Sequence, residues 1–239
     1  MKSFYLLFFA FCIIILNACK KSQDEEPGLS KENCQVQAIN KQTTPACVLT
    51  YDEENRVKTV TKGDERREYK YVANTVTVDR WHSGSLFGWQ SIYTLNGTGL
   101  PVNEKRQYYS NNNWTNLAYE YEGNKIQKIT TTQSSGVAPV YATFTWNNDN
   151  VESITEYGET RYYDYYTDQP ADFDYFEFER IFFDQGPRFI VNRNRVKSKT
   201  TYGVSEEYSY TTDASGRVKA VTYKYGPATE TWEVLMRCE

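Results

Sequence analysis

An all-β fold is predicted for this chain of 239 residues by three observations. Tyr, Phe and Trp make up 16% of the sequence and β-branched residues are abundant; both classes suit the pleated surface of a strand. Apolar or aromatic anchors recur at fixed spacing, and turns containing Gly, Asn or Pro separate them about every 11 to 12 residues. We therefore predict an antiparallel up-and-down meander of about 15–17 short strands, rolled into a barrel or strongly curled sheet.

The anchor spacing has a geometric reason. Two anchors stand at i and i+2, and a third follows the second by five residues, which is the spacing of residues facing each other across a two-residue hairpin. At 121–126 this predicts that Tyr121 opposes Ile126 around the turn Gly123-Asn124. Other copies are Tyr69-x-Tyr71 with Val76, Tyr93-x-Leu95 with Leu100, Phe144-x-Trp146 with Val151, and Phe189-x-Val191 with Val196.

Some apolar pairs break the alternation expected of a strand. They stand three residues apart, which puts them on opposite faces of a regular strand. We expect burial on both faces at these positions, and a β-bulge that resets the face after each turn is the alternative. The pairs are Val57/Val60, Ile126/Ile129, Val151/Ile154 and Val218/Val221.

The first residues indicate export. Lys2 precedes an apolar run that is short for a membrane span and typical of a secretory signal. The run ends at Leu16-Asn17-Ala18-Cys19, which resembles the lipobox of bacterial lipoproteins, although that family prefers a small residue at the position of Asn17. We therefore predict a signal peptide at 1–18, lipidation of Cys19 and a flexible tether over 19–45; an uncleaved anchor is the alternative.

Charge and cysteine content limit the remaining classes. A net charge of −4 without a basic block excludes a typical nucleic-acid binder. One His and no Cys/His spacing predict no metal site, and the sequence contains no cofactor-binding motif. Export to an oxidising compartment favours one disulfide among the later cysteines, either Cys34 with Cys47 or, as the alternative, Cys47 with Cys238.

Two phrases, at 51–61 and 212–223, look like the YD-type repeats of large bacterial surface and toxin-shell proteins. Degenerate copies occupy 121–130 and 146–155. Together with the lipobox and the turn pattern, residues 46–239 resemble a Bacteroidota outer-membrane lipoprotein family of unknown function with a porin-like β fold. The resemblance implies a lipid-anchored, surface-exposed β domain over 46–239, and it carries no catalytic residue.

Candidate ligand-binding residues are aromatic. Two Trp and one His lie in an irregular, glycine-containing stretch, and Tyr occupies both faces of the strand at 161–166. Exposed rings of this kind bind ligands when they converge on one pocket. The candidates are Trp81, His82, Trp89, Trp114, Tyr163 and Tyr165.

The predicted function is therefore non-enzymatic: a surface lipoprotein that binds or scaffolds, with a glycan or a surface protein as partner. One alternative is a glycoside hydrolase using carboxylates of the 172–179 stretch, where we expect solvated strand charges: Asp172, Asp174, Glu177 and Glu179. Another is a barrel carrying an apolar ligand, which needs a continuous apolar lumen. Strands of roughly seven or eight residues are shorter than membrane-spanning strands, which argues against a channel.

Overall fold

The computed structural model describes residues 34–41, 44–173, 175–183 and 186–238. The predicted signal peptide, Cys19 and the tether up to residue 33 lie outside these ranges. The described strands are β1 (Cys34–Lys41), β2 (Thr44–Tyr51), β3 (Val57–Lys62), β4 (Glu65–Val72), β5 (Thr75–His82), β6 (Ser85–Leu86), β7 (Trp89–Leu95), β8 (Pro101–Tyr108), β9 (Trp114–Glu122), β10 (Lys125–Gln133), β11 (Val140–Asn147), β12 (Asn150–Glu156), β13 (Glu159–Pro170), β14 (Asn194–Thr201), β15 (Val204–Thr212), β16 (Val218–Tyr225) and β17 (Ala228–Cys238). The described helix is α1 (Tyr175–Phe183).

The strands form one closed antiparallel barrel. Apart from β6, each strand pairs with the strands before and after it in the chain, with β5 pairing to β7, and β1 pairs with β17 to close the ring. Among the described residues sixteen strands make the wall, while the two-residue β6 extends the hairpin of β5. The predicted meander and its closure are confirmed, as is the register that places Tyr121 opposite Ile126.

The closing pair corrects two predictions. β1 lies inside the predicted tether 19–45, so the β domain begins at Cys34 or earlier and not at residue 46. Cys34 stands opposite Cys238 in the β1–β17 register and forms a disulfide with it. Both predicted pairings were wrong because Cys47 points into the core, where it is 1% exposed and free. Burial raises the pKa of Cys47 to about 11, against the influence of Arg67 and Lys62.

Because strands alternate in direction, the barrel has two distinct ends. We call the end with the turns after β2, β4, β7, β9, β11 and β15 the bulged rim. The opposite end, with the turns after β3, β8, β10, β12, β14 and β16, is the open rim. The disulfide lies at the bulged rim, where β1 begins and β17 ends.

At the bulged rim the two YD-like phrases form the same turn. Asp52 accepts hydrogen bonds from the backbone N–H groups of Glu54 and Arg56 and pairs with the Arg56 side chain. Asp213 does the same with Ser215 and Arg217. Desolvation opposes ionisation of both aspartates, but these hydrogen bonds outweigh it and lower the pKa of each.

β-Bulges, and not burial on both faces, explain the apolar pairs three residues apart. In each pair the register shifts by one residue between the two members, so both point into the barrel. The extra residues are Lys58, Gln127, Glu152 and Lys219. Val218 and Val221, for example, are 1% and 2% exposed.

A second feature accompanies the bulges. Six backbone carbonyls immediately before a bulge each accept a hydrogen bond from a Tyr hydroxyl or a Trp indole on a nearby strand. The donor and acceptor pairs are Tyr51 with Val36, Tyr71 with Val57, Tyr121 with Pro101, Trp146 with Ile126, Tyr165 with Val151, and Tyr210 with Val196, at 2.6 to 2.9 Å. A bulge interrupts the ladder, and these donors satisfy the carbonyls that it exposes.

The exception supports this coupling. β5 pairs with β4 without a register shift, so β5 has no bulge after the turn that joins the two strands. The corresponding side chain on β7 is Leu95, which has no polar group to donate. Its backbone N–H bonds the Asn74 carbonyl instead, at 2.7 Å. An aromatic donor thus accompanies six bulges, and an aliphatic residue stands where β5 has no bulge. The bulge at Lys219 is not one of these six.

The lumen contains α1, which corrects the strand expected at 172–179. Apolar side chains on several sides of α1 are buried, as in helices surrounded by protein. Its contacts reach strands around the ring: Tyr163 with Phe176 at 5.0 Å, Tyr175 with Tyr208 at 4.6 Å, Phe178 with Trp232 at 5.6 Å, and Arg67 Nη1 donating to the Ile181 carbonyl at 2.9 Å. Alternation of charged and aromatic residues resembled a strand because both sides of this helix are packed.

The outer wall carries many paired hydroxyl groups. Hydroxyl side chains on neighbouring strands bond each other across this face: Thr50–Thr59, Thr145–Ser153, Thr155–Thr160, Thr200–Ser205 and Thr222–Thr231. A lipid-facing barrel wall instead carries an apolar band about 25 Å high. In the described part of the chain, no helix is both long enough and apolar enough to cross a bilayer.

The bulge carbonyls give a first prediction. Tyr121→Phe removes the donor to the Pro101 carbonyl and leaves it without that partner, so we expect the free energy of unfolding to fall by about 1 to 3 kcal/mol. Urea denaturation measures this change. Tyr141→Phe is the matched control, because Tyr141 is 48% exposed on the outer wall, and it should change stability by less than about 0.5 kcal/mol. Equal effects of the two substitutions would contradict the proposed role.

A second prediction concerns closure of the ring. Cys34 and Cys238 are 204 residues apart, so their disulfide removes a large loop entropy from the unfolded chain. Replacing both by Ser should destabilise the domain by about 5 kcal/mol in urea denaturation. Reduction of the native protein should shift its unfolding midpoint in the same direction and leave that of the double variant unchanged.

Candidate functional site

The lumen is occupied by the segment between β13 and β14, which we call the insert (171–193, with residues 174, 184 and 185 outside the described ranges). Hydrogen bonds from backbone N–H groups to Asn side chains hold it against β12 at the bulged rim. Asn150 Oδ1 accepts hydrogen bonds from the backbone N–H groups of Arg193 and Asn194, and Asn192 Oδ1 accepts one from Val151. Asp172 pairs with Arg195, whose side chain is 3% exposed. The insert is thus held at one rim and reaches toward the other.

A close approach fixes the far part of the insert. Gly186 has a φ of +72° and lies against the ring of Tyr93 on β7, so that a Cβ atom there would stand 2.2 Å from the ring. Arg180 on α1 donates to the Gly186 carbonyl at 3.2 Å and pairs with Glu177. Phe189 packs on Tyr119 of β9 at 5.7 Å. The insert therefore contacts the wall on several sides and leaves cavities beside it.

One cavity has a volume of about 520 Å³ and lies toward the open rim, where Tyr157 of the β12–β13 turn is 74% exposed. This size is within the range of small-molecule sites. We call it the arginine cavity. Its polar and aromatic lining includes Arg80, Arg106, Arg161, Trp89, Tyr108 and Tyr163.

A buried carboxylate supports one wall of this cavity. Glu104, 1% exposed, accepts hydrogen bonds from Ser91, Tyr93 and Tyr119 and pairs with Arg106 at 2.6 Å. Burial opposes the charge of Arg106, but the hydrogen bonds and attraction of Glu104 raise its pKa above the ordinary value. Arg106 therefore stays charged and held in place at the cavity wall.

Arginine and tryptophan stack at the same wall. The Arg80 guanidinium lies 3.9 Å from the centre of the Trp89 ring, and that of Arg106 lies 5.8 Å from it. Burial lowers the pKa of Arg80 to about 10, and the positive charges of Arg67 and Arg106 contribute to this shift. The arginine cavity thus combines a flat aromatic surface with clustered positive charge.

Two donors at the cavity lack protein acceptors. The Trp89 indole N–H and the Arg161 Nε are buried and make no hydrogen bond to any described residue. Arg161 is oriented by an ion pair from Nη2 to Glu156 at 2.9 Å. Buried donors are satisfied in nearly all proteins, so these two atoms are suited to donate to water or to a ligand oxygen.

The structure separates the six aromatic candidates. Trp89 and Tyr163 line the arginine cavity, while the Tyr165 hydroxyl donates a hydrogen bond to the Val151 carbonyl before a bulge. Trp114, 36% exposed, lines a pocket of about 200 Å³ that shares Tyr108, Thr115 and Gln133 with the arginine cavity. Trp81 stacks near Arg66 at 5.6 Å and His82 lies beside Phe87 at the β5–β6 hairpin, and neither lines the cavity.

The predicted carboxylates do not come together. Asp172 and Glu177 pair with Arg195 and Arg180, and Asp174 lies outside the described residues. Glu179 lines the cavity and accepts a hydrogen bond from Tyr175. Burial raises its pKa, against the influence of Tyr175, Lys199 and Arg161.

The described part of the lumen does not favour the apolar-carrier alternative, which needs a continuous apolar path. α1 and the buried charges of Arg67 and Glu104 interrupt any continuous apolar path. Sequence reasoning missed the three cavity arginines. The signal was present, because Arg80, Arg106 and Arg161 continue the period of two set by the inward anchors Val78, Glu104 and Tyr163.

These features define a closed antiparallel barrel with an internal helix and a ligand-sized cavity at one end. Solved structures with a similar fold include a porin-like protein from Bacteroides uniformis, at 13% identity and a TM-score of 0.61, with 84% of this chain and 96% of that chain covered. A porin-like protein from Bacteroides vulgatus is similar at 12% identity and a TM-score of 0.54, covering 84% and 97%. No family model and no curated protein matches the chain. The likeness confirms the porin-like fold, while the lipoprotein and YD-repeat resemblances stay predictions.

A third prediction tests the insert. Gly186→Ala forces a Cβ against Tyr93 and strains a positive φ, so we expect it to displace the insert and lower the unfolding midpoint. Gly216→Ala is the control: its φ is +79° but a Cβ there meets nothing within 4 Å, so it should cost only the backbone strain of about 1 to 2 kcal/mol. Calorimetry measures the difference, and equal losses would show that the close approach does not matter.

Proposed function

We propose that this chain is a non-enzymatic, lipid-anchored protein of the outer-membrane surface that binds a glycan at the open rim through the arginine cavity. The observation that carries the proposal is the pair of buried donors without protein acceptors, the Trp89 indole N–H and the Arg161 Nε. Glycans present many acceptor oxygens together with flat faces that pack on aromatic rings. The lining of the arginine cavity meets both requirements, with the Trp89 ring and N–H on β7 and the Arg161 Nε on β13.

A chain-like ligand fits the continuity of the two pockets. The Trp114 pocket and the arginine cavity share Tyr108, Thr115 and Gln133, so one ligand could contact both without crossing the barrel wall. Trp114 offers an exposed ring outside, and Trp89 offers a ring and a donor inside. We assign the end of the glycan to the arginine cavity and its next units to Trp114.

The lipid anchor is proposed from the lipobox at Cys19. The hydroxyl pairs of the outer wall favour a barrel surrounded by water, so that attachment depends on the lipid and not on the strands. Any anchor upstream of Cys34 joins the barrel at the bulged rim, opposite the arginine cavity. This leaves the binding end free to face the medium.

A binding role is also favoured over hydrolysis by the carboxylates of the cavity. Glu156 is paired with Arg161 and Glu179 is hydrogen-bonded to Tyr175. Glycoside hydrolysis generally needs one carboxyl as acid and another as base or nucleophile at a single bond. Both of these carboxyl groups already have protein partners.

The fourth prediction is binding to a glycan array and to soluble polysaccharides, measured with the purified protein. Trp89→Phe retains an aromatic ring but removes the N–H, and Trp114→Ala removes the outer ring. For any glycan that the wild-type protein binds, we expect each substitution to weaken binding by about 1.5 to 3 kcal/mol, or roughly tenfold to a hundredfold.

Trp81→Ala is the matched control, because it removes a Trp of the same barrel end that does not line the cavity. It should bind like the wild type. Loss of binding in Trp81→Ala with retention in Trp89→Phe would move the site to the outer wall. If the protein binds none of the glycans, a glycan ligand is refuted and a surface protein is favoured as the partner.

A further inference from the structure

A second cavity lies against α1, between the helix and strands β14 to β17. Its volume is about 240 Å³, below the roughly 300 to 1,000 Å³ of sites for drug-sized ligands, so its ligand must be small. We call it the carboxylate cavity. It is lined by Tyr175, Phe178, Glu179, Lys199, Glu206, Tyr208, Val221, Tyr223, Glu230 and Trp232.

Aromatic residues make up half of its described lining. Tyr208 packs on Tyr175 at 4.6 Å between ring centres and on Tyr223 at 5.6 Å. Phe178 packs on Trp232 at 5.6 Å. Rings from one helix and three strands therefore surround the same space, and their faces carry the negative side of the ring quadrupole.

Carboxylates outnumber cations at this wall. Glu179, Glu206 and Glu230 line the cavity, whereas Lys199 is the one basic residue of its described lining. Lys199 pairs with Glu206 at 2.9 Å. Glu230 pairs at the edge with Lys41 of β1, also at 2.9 Å, and both side chains are over 40% exposed. Three carboxyl groups therefore line this cavity against one lysine, with Lys41 at its edge.

The protein already places ammonium groups on these rings. Lys199 Nζ lies 5.3 Å from the centre of the Tyr175 ring and donates to the Tyr175 hydroxyl at 3.2 Å. Lys41 Nζ lies 5.1 Å from the centre of the Trp232 ring. Cation–π contacts of this kind are favourable within about 6 Å of the ring, and more so where water is displaced. The wall is therefore suited chemically to positively charged nitrogen.

We infer that the carboxylate cavity is a binding site for a small organic cation that carries an ammonium or quaternary ammonium group. The cation would rest on the aromatic wall, with the carboxylates balancing its charge. This site is separate from the arginine cavity: α1 lies between them, and of their described linings Glu179 is the residue in common. The inference does not depend on the proposed glycan ligand.

Choline is the probe that tests it, and 3,3-dimethyl-1-butanol is the matched neutral compound, because a carbon replaces the charged nitrogen in the same shape. Titration of the purified protein by calorimetry and by tryptophan fluorescence should show saturable choline binding in the millimolar range or tighter. The neutral compound should bind at least about tenfold more weakly, since it gains no cation–π or ionic attraction.

Two variants locate the site. Trp232→Leu removes an aromatic face, and Glu230→Gln removes a charge at the partly exposed edge with little risk to folding. Each should weaken choline binding at least about fivefold while circular dichroism stays like that of the wild type. Trp89→Leu, in the arginine cavity, should leave choline binding unchanged.

The inference is overturned if choline shows no saturable binding, if the neutral compound binds as tightly, or if folded Glu230→Gln and Trp232→Leu both retain wild-type affinity. Loss of choline binding in Trp89→Leu alone would also overturn it by placing the cation in the other cavity. Because the glycan experiment uses different ligands and variants, its failure leaves this result interpretable.

Discussion

The hydrogen bond from an aromatic side chain to the carbonyl before a bulge organises this barrel. Each bulge turns the next residue inward, which keeps the anchors on the lumen side after the turns that follow β2, β9 and β11. The bulge also exposes a carbonyl, and a Tyr or Trp nearby satisfies it. Packing, register and polar satisfaction thus depend on one repeated unit, and the regular pairing of β4 with β5 marks a place where the unit is absent.

The two rims of the barrel differ in what they carry. The rim that contains the bulges also holds the Asp52 and Asp213 turns, the disulfide, and the Asn side chains that hydrogen-bond to the backbone at the ends of the insert. At the other rim, strands of the same sheet carry Arg80, Arg106 and Arg161 at inward positions where the bulged rim places aromatic anchors. The repeated turns and the disulfide lie at one end, and the cavity with its buried donors and arginines lies at the other.

The sequence predicted the wall well because local rules govern it. Strand pairing in a meander is between neighbours, so the five-residue spacing of Tyr121 and Ile126 determines the register. The insert was missed because its helical residues are surrounded by protein, and alternating Phe and Glu at 176–179 carry no single apolar stripe. The disulfide was missed because β1 was assigned to the tether, and the cavities were missed because they combine side chains from strands distant in the chain.

Closure of the ring has a practical consequence for how the domain can be joined to other proteins. Cys34 and Cys238 are opposite each other in the register of β1 and β17, with Cα atoms 4.1 Å apart. Both ends of the described chain therefore leave the barrel side by side at the same rim. A cargo fused after residue 238 would emerge beside the N-terminal connection, and a circular permutant could join these two ends by a short linker and open the chain at a turn of the opposite rim.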